Sequence, residues 1–172
     1  MELKNVPIAI GVFVLFLTVP AAVYLSTQPE SLRTFTEAGK EESAVYYLWP
    51  AEAESSIGEN FEVRITLASP EESASEAKTV LKYNPQSLDV INIEKGIIFN
   101  KYTKKELDSV TGQIEIEARG DFKGTGTFAT VTFAPKEKGE TQLTLIKAGS
   151  EILDKNGSDI LQGINGSVLL VR

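Results

Sequence analysis

A chain of 172 residues, 42% hydrophobic and 24% charged, has the makings of one globular domain with additional segments. It holds no His and no Cys, which removes Ser-His-Asp and Cys-His catalysis, the usual zinc and haem ligand sets, and any disulfide. The net charge of −7 comes without a basic stripe: residues 43–172 carry fourteen Lys and Arg against nineteen Asp and Glu, a net of −5, so nucleic acid is not an expected partner.

After "MELKN" comes an uncharged apolar run, Val6 to Leu25, long enough to cross a hydrocarbon core as a helix. Pro7 and Pro20 fall near its ends, where helix hydrogen bonds are missing anyway, and "PAA" is a poor cleavage site. Residues 1–25 therefore read as an uncleaved single transmembrane helix in preference to a signal peptide. Lys4 and the amino terminus, set against Arg33, leave the N-terminus in the cytoplasm. The expected location is the cell membrane, single-pass, with the C-terminal domain extracellular. Residues 26–42 are polar and without apolar periodicity, as a flexible tether is, and residues 43–172 are the expected folded domain.

That domain opens on "AVYYLWP", where alternation puts Tyr47 and Trp49 on one face and Tyr46 on the other. Exposed aromatics on a sandwich can stack on sugar rings, so Tyr47 and Trp49 are the candidate glycan-binding pair; packing of one face into the core is the plainer account. Next, Phe61, Val63, Ile65 and Leu67 alternate with Glu62, Arg64 and Thr66, which describes a strand with one buried and one wet face. The same period returns at Ala77, Thr79, Leu81 and Tyr83, at Ile114, Ile116 and Ala118, at Ala129, Val131 and Phe133, at Leu143 and Leu145, and at Val168 and Leu170. Turn signals lie between these runs, including Asn84-Pro85, Thr111-Gly112, Lys138-Gly139, Asn156-Gly157 and Asn165-Gly166. Pro85 has no N–H to continue a ladder, so the chain must leave the sheet there, with Leu88, Val90 and Ile93 plugging the end of the core. Only Asn100 to Val110 reads as a short helix or a long loop. Many short strands with glycine-rich turns predict an antiparallel sandwich.

The stretch "LKYNPQSLDVINIEKG", Leu81 to Gly96, resembles the L-x-Y-D-P-x-x-L-E-V signature of cohesin domains, the scaffoldin modules that bind dockerins. "IGENFEVRITLAS" is similar to the family's early G-D-x-F-x-V-x-V strand, "GTGTFATVTFAPKEKGETQLTL" to its G-x-G-x-L-A-T-I-x-F strand and the next one, and "ILDKNGSDILQGINGSVLLV" to its closing strands. The resemblance covers nearly all of 43–172 and implies an all-β jelly-roll sandwich of about nine strands. It also implies a non-catalytic extracellular module that binds a dockerin-like protein on one sheet face, such as one borne by polysaccharide-degrading enzymes, with no cofactor. Carried over by position, the partner-binding residues are Glu76, Lys78, Val80, Lys82, Glu115, Glu117 and Arg119. Lys78 and Arg119 depart from the small acidic or amide groups of the family pattern, and a reversed charge excludes the wrong partner. The alternative function is a carbohydrate-binding or cell-surface adhesion module, with polysaccharide as the partner.

Other constellations have plainer accounts. Glu115 and Glu117 stand roughly 6–7 Å apart on one strand, within reach of a glycosidase acid/base pair, but adjacent outward positions are ordinarily solvated. "DKNGSD", Asp154 to Asp159, offers oxygen ligands for calcium, yet Asp159 stands where the glycine of an EF-hand loop belongs and Asn165 where its bidentate Glu belongs; a hairpin with positive φ at Asn156-Gly157 accounts for it, and no metal site is expected. "GDFKGTG" lacks the Lys-Ser/Thr of a phosphate loop and reads as a strand connection.

Overall fold

The computed structural model describes residues 44–172 and, within them, every side chain except those of 70–72. The anchor and tether expected over 1–42 lie outside the described residues. Among the described residues no helix is long and apolar enough to cross a membrane.

Among the described residues ten strands form one continuous hydrogen-bonded sheet that curls on itself. In chain order they are β1 (Ala44–Trp49), β2 (Glu52–Ser55), β3 (Phe61–Lys82), β4 (Leu88–Lys95), β5 (Lys101–Asp108), β6 (Gln113–Pro135), β7 (Gly139–Leu145), β8 (Glu151–Leu153), β9 (Leu161–Asn165) and β10 (Ser167–Val171). A single 3-10 turn, Lys147–Gly149, separates β7 from β8. The expected all-β class holds.

Two strands organise the whole. β3 and β6 pair antiparallel along almost their full length, from Phe61↔Phe133 to Lys82↔Gln113, with register shifts around Ser69 and Ala74. Each of them replaces two of the short strands that alternation suggested. The irregular stretch lets the ladder bend, as bulges do, so its two halves serve different layers. The first half of β3 carries β1 on its free edge, and the matching half of β6 carries β4. The second half of β3 carries β8 and then β7, and the matching half of β6 carries β5.

Between the layers lies one apolar core. Val63, Ile65 and Leu67 of β3, Ile114, Ile116, Val131 and Phe133 of β6, and Leu143 and Leu145 of β7 are all buried, as the period-two pattern requires, and Phe128 is buried out of phase, as the extra residue where the register shifts between Ile65↔Ala129 and Thr66↔Thr127. Phe128 is its aromatic centre, with ring centroids of Tyr46, Phe99 and Tyr102 at 5.7, 5.8 and 5.7 Å. Tyr102 Oη donates to the Phe128 carbonyl at 2.6 Å, and burial pushes its hydroxyl up to about 12, so the donor keeps its proton at any ordinary pH.

The Asn84-Pro85 turn behaves as its chemistry dictates. Asn84 Oδ1 accepts from Gln86 N at 3.0 Å and the Asn84 carbonyl from Ser87 N and Leu88 N, which reverses the chain into β4. Leu88 and Ile93 are buried behind it, and Val90 packs partly against the core.

Three expectations need correction. Residues 100–110 are neither helix nor loop: β5 runs through them, paired with β6. A register shift between Tyr102 and Lys104 breaks the period of two, which hides the strand from pattern reading. In β10 the inward residues are Ser167, Leu169 and Val171, whereas Val168 and Leu170 are 36% and 38% exposed. An apolar run of four cannot choose its own face; pairing with β7 decides it. At Asn156-Gly157 only Gly157 takes positive φ, at +80°.

Candidate functional site

On the outer face of β8, the second half of β3, the first half of β6 and β5, the side chains alternate with the buried Ala77, Thr79, Leu81, Ile114, Ile116 and Ala118. Glu76, Lys78, Val80, Lys82, Glu115, Glu117 and Arg119 all fall on this face, so the ladder brings the seven predicted residues together. Direct neighbours are Glu76↔Arg119, Lys78↔Glu117, Val80↔Glu115 and Lys82↔Gln113.

The charges are cross-linked over three strands. Lys78 Nζ lies 3.0 Å from Glu115 Oε1, and Lys104 Nζ of β5 lies 2.8 Å from Glu115 Oε2 and 3.2 Å from Glu106. Arg119 reaches Glu76 at 3.1 Å and Glu117 at 3.8 Å, while Thr103 Oγ1 donates to Glu117 at 2.9 Å. Glu115 is the hub: hydrogen bonds from Lys104 and then Lys78 hold its carboxyl below the usual range, and the same bonds raise both lysines. Isolated surface pairs contribute little to stability, but one carboxylate shared by two ammonium groups restrains three side chains at once.

Lys104, Glu106 and Thr103 escaped the sequence reading because the strand carrying them did. The signal was present in principle, since Lys104 and Glu106 stand opposite Glu117 and Glu115. Val80 is in place but partly covered, because the 3-10 turn passes over it where Gly149 has no Cβ to collide. Ser150 pins this edge, its hydroxyl donating to Ile146 O at 2.8 Å and accepting from Val80 N at 3.1 Å. Beyond exposed Lys82 an open groove of about 500 Å³ runs past Asn84, Thr111, Gln142 and Thr144.

A pH dependence follows. Glu115's contribution to stability is complete above the ordinary carboxylate pKa and is lost as pH falls through its lower folded value. We expect the urea midpoint to fall on acidification, and Glu115→Gln to flatten the most acidic part of that decline. Parallel declines in the two proteins would remove Glu115 from the account.

The aromatic pair is arranged differently. Tyr47 and Trp49 do share the outer face of β1 while Tyr46 is buried, but the Arg64 guanidinium lies 3.9 Å over the Trp49 ring. One face of the indole, 52% exposed overall, is thus already stacked. Glu115 and Glu117 sit on an open sheet with cations against them, which is not the two-sided cleft that glycoside hydrolysis needs. In the 154–159 loop, Asp154 Oδ1 accepts from Asn156 N and Ser158 N, both at 2.8 Å, and Asp159 Oδ1 accepts from Ile152 N at 3.1 Å and Leu161 N at 3.0 Å. Those carboxylates are engaged by the chain's own N–H groups, which shape an Asx turn.

Residues 50–170 match the family model described as the cohesin domain. No curated protein sequence matches the chain. Solved structures do, with low identity. A cohesin from Clostridium acetobutylicum gives a TM-score of 0.67 at 15% identity, over 77% of this chain and 92% of that one. The match to a type I cohesin–dockerin complex from Clostridium thermocellum gives 0.66 at 16%, over 77% and 95%. A non-cellulosomal cohesin from the hyperthermophilic archaeon Archaeoglobus fulgidus gives 0.63 at 17%, over 76% and 91%.

Proposed function

Because this chain belongs to the cohesin domain family, we propose that it is a non-catalytic recognition module binding a dockerin-like protein on the outer face of β8, β3, β6 and β5. The observation that carries this reading is the two ion-paired sets on this face, one shared at Glu115 and the other at Arg119. They present alternating charges at fixed positions on a sheet whose other side is core, and recognition needs such preorganisation more than it needs area. The solved C. thermocellum relative is described as a complex with a dockerin, which supports the choice of partner class. Lys78 and Arg119 give the face a charge order that selects among dockerins. We further place the domain outside the cell, held by the apolar run Val6–Leu25 through the tether of residues 26–42; a dockerin-bearing polysaccharide-degrading enzyme would then be displayed at the surface.

The test is a binding panel of calcium-loaded dockerins beside polysaccharides, read by calorimetry on residues 43–172. Expected is dockerin binding that weakens at least about tenfold in Lys78→Asp and is unchanged in Trp49→Ala. Polysaccharide binding abolished by Trp49→Ala would replace this reading with adhesion through Tyr47 and Trp49.

A further inference from the structure

β3 shares only two rows with β7, Leu81↔Leu145 and Lys82↔Thr144, before Asn84-Pro85 turns the chain away into β4. β7 itself extends back to Gly139, and along that stretch it is bonded on one side only. Val168 N donates to Ala51 O at 2.9 Å, so by alternation Ser167, Leu169 and Val171 are the β10 residues whose backbone groups face β7, opposite Leu143, Thr141 and Gly139. The backbone groups of Gln142 and Glu140 therefore point the other way. The far end of β7 agrees, because Ile146 N donates to Val80 O at 2.8 Å and Gln142 and Glu140 lie in phase with it. Among the described residues neither has a strand or turn partner on that side.

What lies there is the groove of about 500 Å³ beyond Lys82, a volume within the ~300–1,000 Å³ of ligand clefts. Its far wall is made by Tyr83, Asn84, Pro85 and Thr111. That wall offers the open edge little: Pro85 has no N–H, Asn84 is held by Gln86 N and Ser87 Oγ, and Thr111 Oγ1 donates to Asp108. A second unpaired group lies on the near side, where Thr141 is only 7% exposed. Every fully buried side-chain oxygen among the described residues has a partner, so the Thr141 hydroxyl, which has none, opens into the groove that Thr141 lines.

Charge gives an occupant its order. On the outer face Lys82 stands at the β3 end of the groove and Glu140 at the other, and neither has an ion-pair partner among the described residues. A strand continuing the line of β3 would set one outward residue opposite Gln142, next along from Lys82, and the following outward residue opposite Glu140. The residue between them would face Thr141.

We propose that this gap is a strand-addition slot: an extended segment of the partner protein, flanking the part that docks on the face of β8, β3, β6 and β5, pairs with Glu140–Gln142 in the place that β3 vacates. Its chemistry is acidic, small polar, basic in chain order, with the carboxylate beside Lys82, the middle residue bonded to the Thr141 hydroxyl and the cation on Glu140. Lys82 belongs to both surfaces, so the groove continues the recognition face, and the inference rests on that reading for the identity of the partner. Main-chain bonds at Gln142 and Glu140 hold the segment and the side chains select its sequence.

The experiment follows amide hydrogen exchange by NMR in the full chain in detergent micelles. The chain is taken alone, with the capped peptide acetyl-Ser-Asp-Ser-Lys-Ser-amide at millimolar concentration, and with the tightest calcium-loaded dockerin of the panel carrying its native flanking sequence. In the free chain the Gln142 and Glu140 amides should exchange fast and those of Thr141 and Leu143 slowly. The peptide should slow Gln142 and Glu140 several-fold, and the reversed order, Lys before Asp, should bind at least about tenfold more weakly. Slow exchange of the two amides in the free chain, no slowing by the peptide, or equal slowing by both orders overturns the slot. Glu115→Lys separates the two surfaces: dockerin binding should weaken about a hundredfold while the peptide's effect is kept, and a peptide effect lost with it would put the peptide on the face and overturn the slot. A dockerin that binds while Gln142 and Glu140 exchange as in the free chain overturns the slot as part of that contact and leaves the face standing. Peptide protection with no dockerin bound overturns the face, and with it the partner named here.

Discussion

Replacing Phe128 by Ala should cost about 3–5 kcal/mol of folding free energy, the largest effect expected of any single truncation here. Phe128 is fully buried in β6, just beyond the bend where the β3–β6 ladder passes between layers, and rings from β1, from the β4–β5 loop and from β5 meet on it. Its backbone carbonyl also accepts from Tyr102 Oη and Gly96 N, so a collapsed cavity would disturb the two bonds that seat β5 and the β4–β5 loop. Core relaxation around an aromatic hole is limited in a close-packed interior. Urea unfolding followed by tyrosine and tryptophan signals measures the loss. A cost near 1 kcal/mol would mean that the layers are held elsewhere, for instance by Phe61, Tyr83 and Phe133 at the far end of the same ladder.

How far such a core is legible in the chain depends on regularity. Val63, Ile65, Leu67, Ile114, Ile116 and Phe133 announce themselves because each sits in a strand with polar alternates. Leu169 does not, since its neighbours Val168 and Leu170 are equally apolar and only pairing with β7 separates the faces. β5 fails for the opposite reason: its shift after Tyr102 puts Tyr102, Lys105 and Leu107 opposite Ala118, Ile116 and Ile114 on the inner side, a spacing that no fixed period contains. Lys105 then looks misplaced until its ammonium is seen on Ile93 O at 3.0 Å, where it closes the seam between β4 and β5. Pattern reading therefore reached β3 and β6, the two central strands of the candidate face, and missed β5, which carries Lys104.

That omission matters for chemistry, because the partners of Glu115 cannot be found from β3 and β6 alone. By register Glu115 faces Val80 on β3 and Glu106 on β5, yet its carboxylate bonds diagonally to Lys78 and to Lys104. Alternation says which way a side chain points; which neighbour it takes depends on reach and on competing charges. A face described as seven separate residues holds, in the folded molecule, two ion-paired sets, Lys78–Glu115–Lys104–Glu106 and Glu76–Arg119–Glu117, with Val80 and Lys82 outside them.

Glu115→Lys is accordingly the second large effect. The change would set a third ammonium between Lys78 and Lys104 and reverse the centre of their set, and we expect dockerin-like binding to fall by a factor of about a hundred or more, in the range found when one member of a close interfacial charge pair is lost. The fold should survive, since Glu115 points outward from a strand whose buried residues are untouched, with a stability loss of about 1–2 kcal/mol from like-charge repulsion. The decisive comparison is the exchange Lys78→Glu with Glu115→Lys, which restores an opposite pair in reversed order. If the pair acts only to hold the sheet together, the double variant recovers both stability and binding. If the order of charges is what the partner reads, stability returns in part, because the ammonium at 115 still faces Lys104, while binding does not. We expect the second result, because a partner docked on a rigid sheet meets fixed positions and cannot follow a charge moved from one strand to the next.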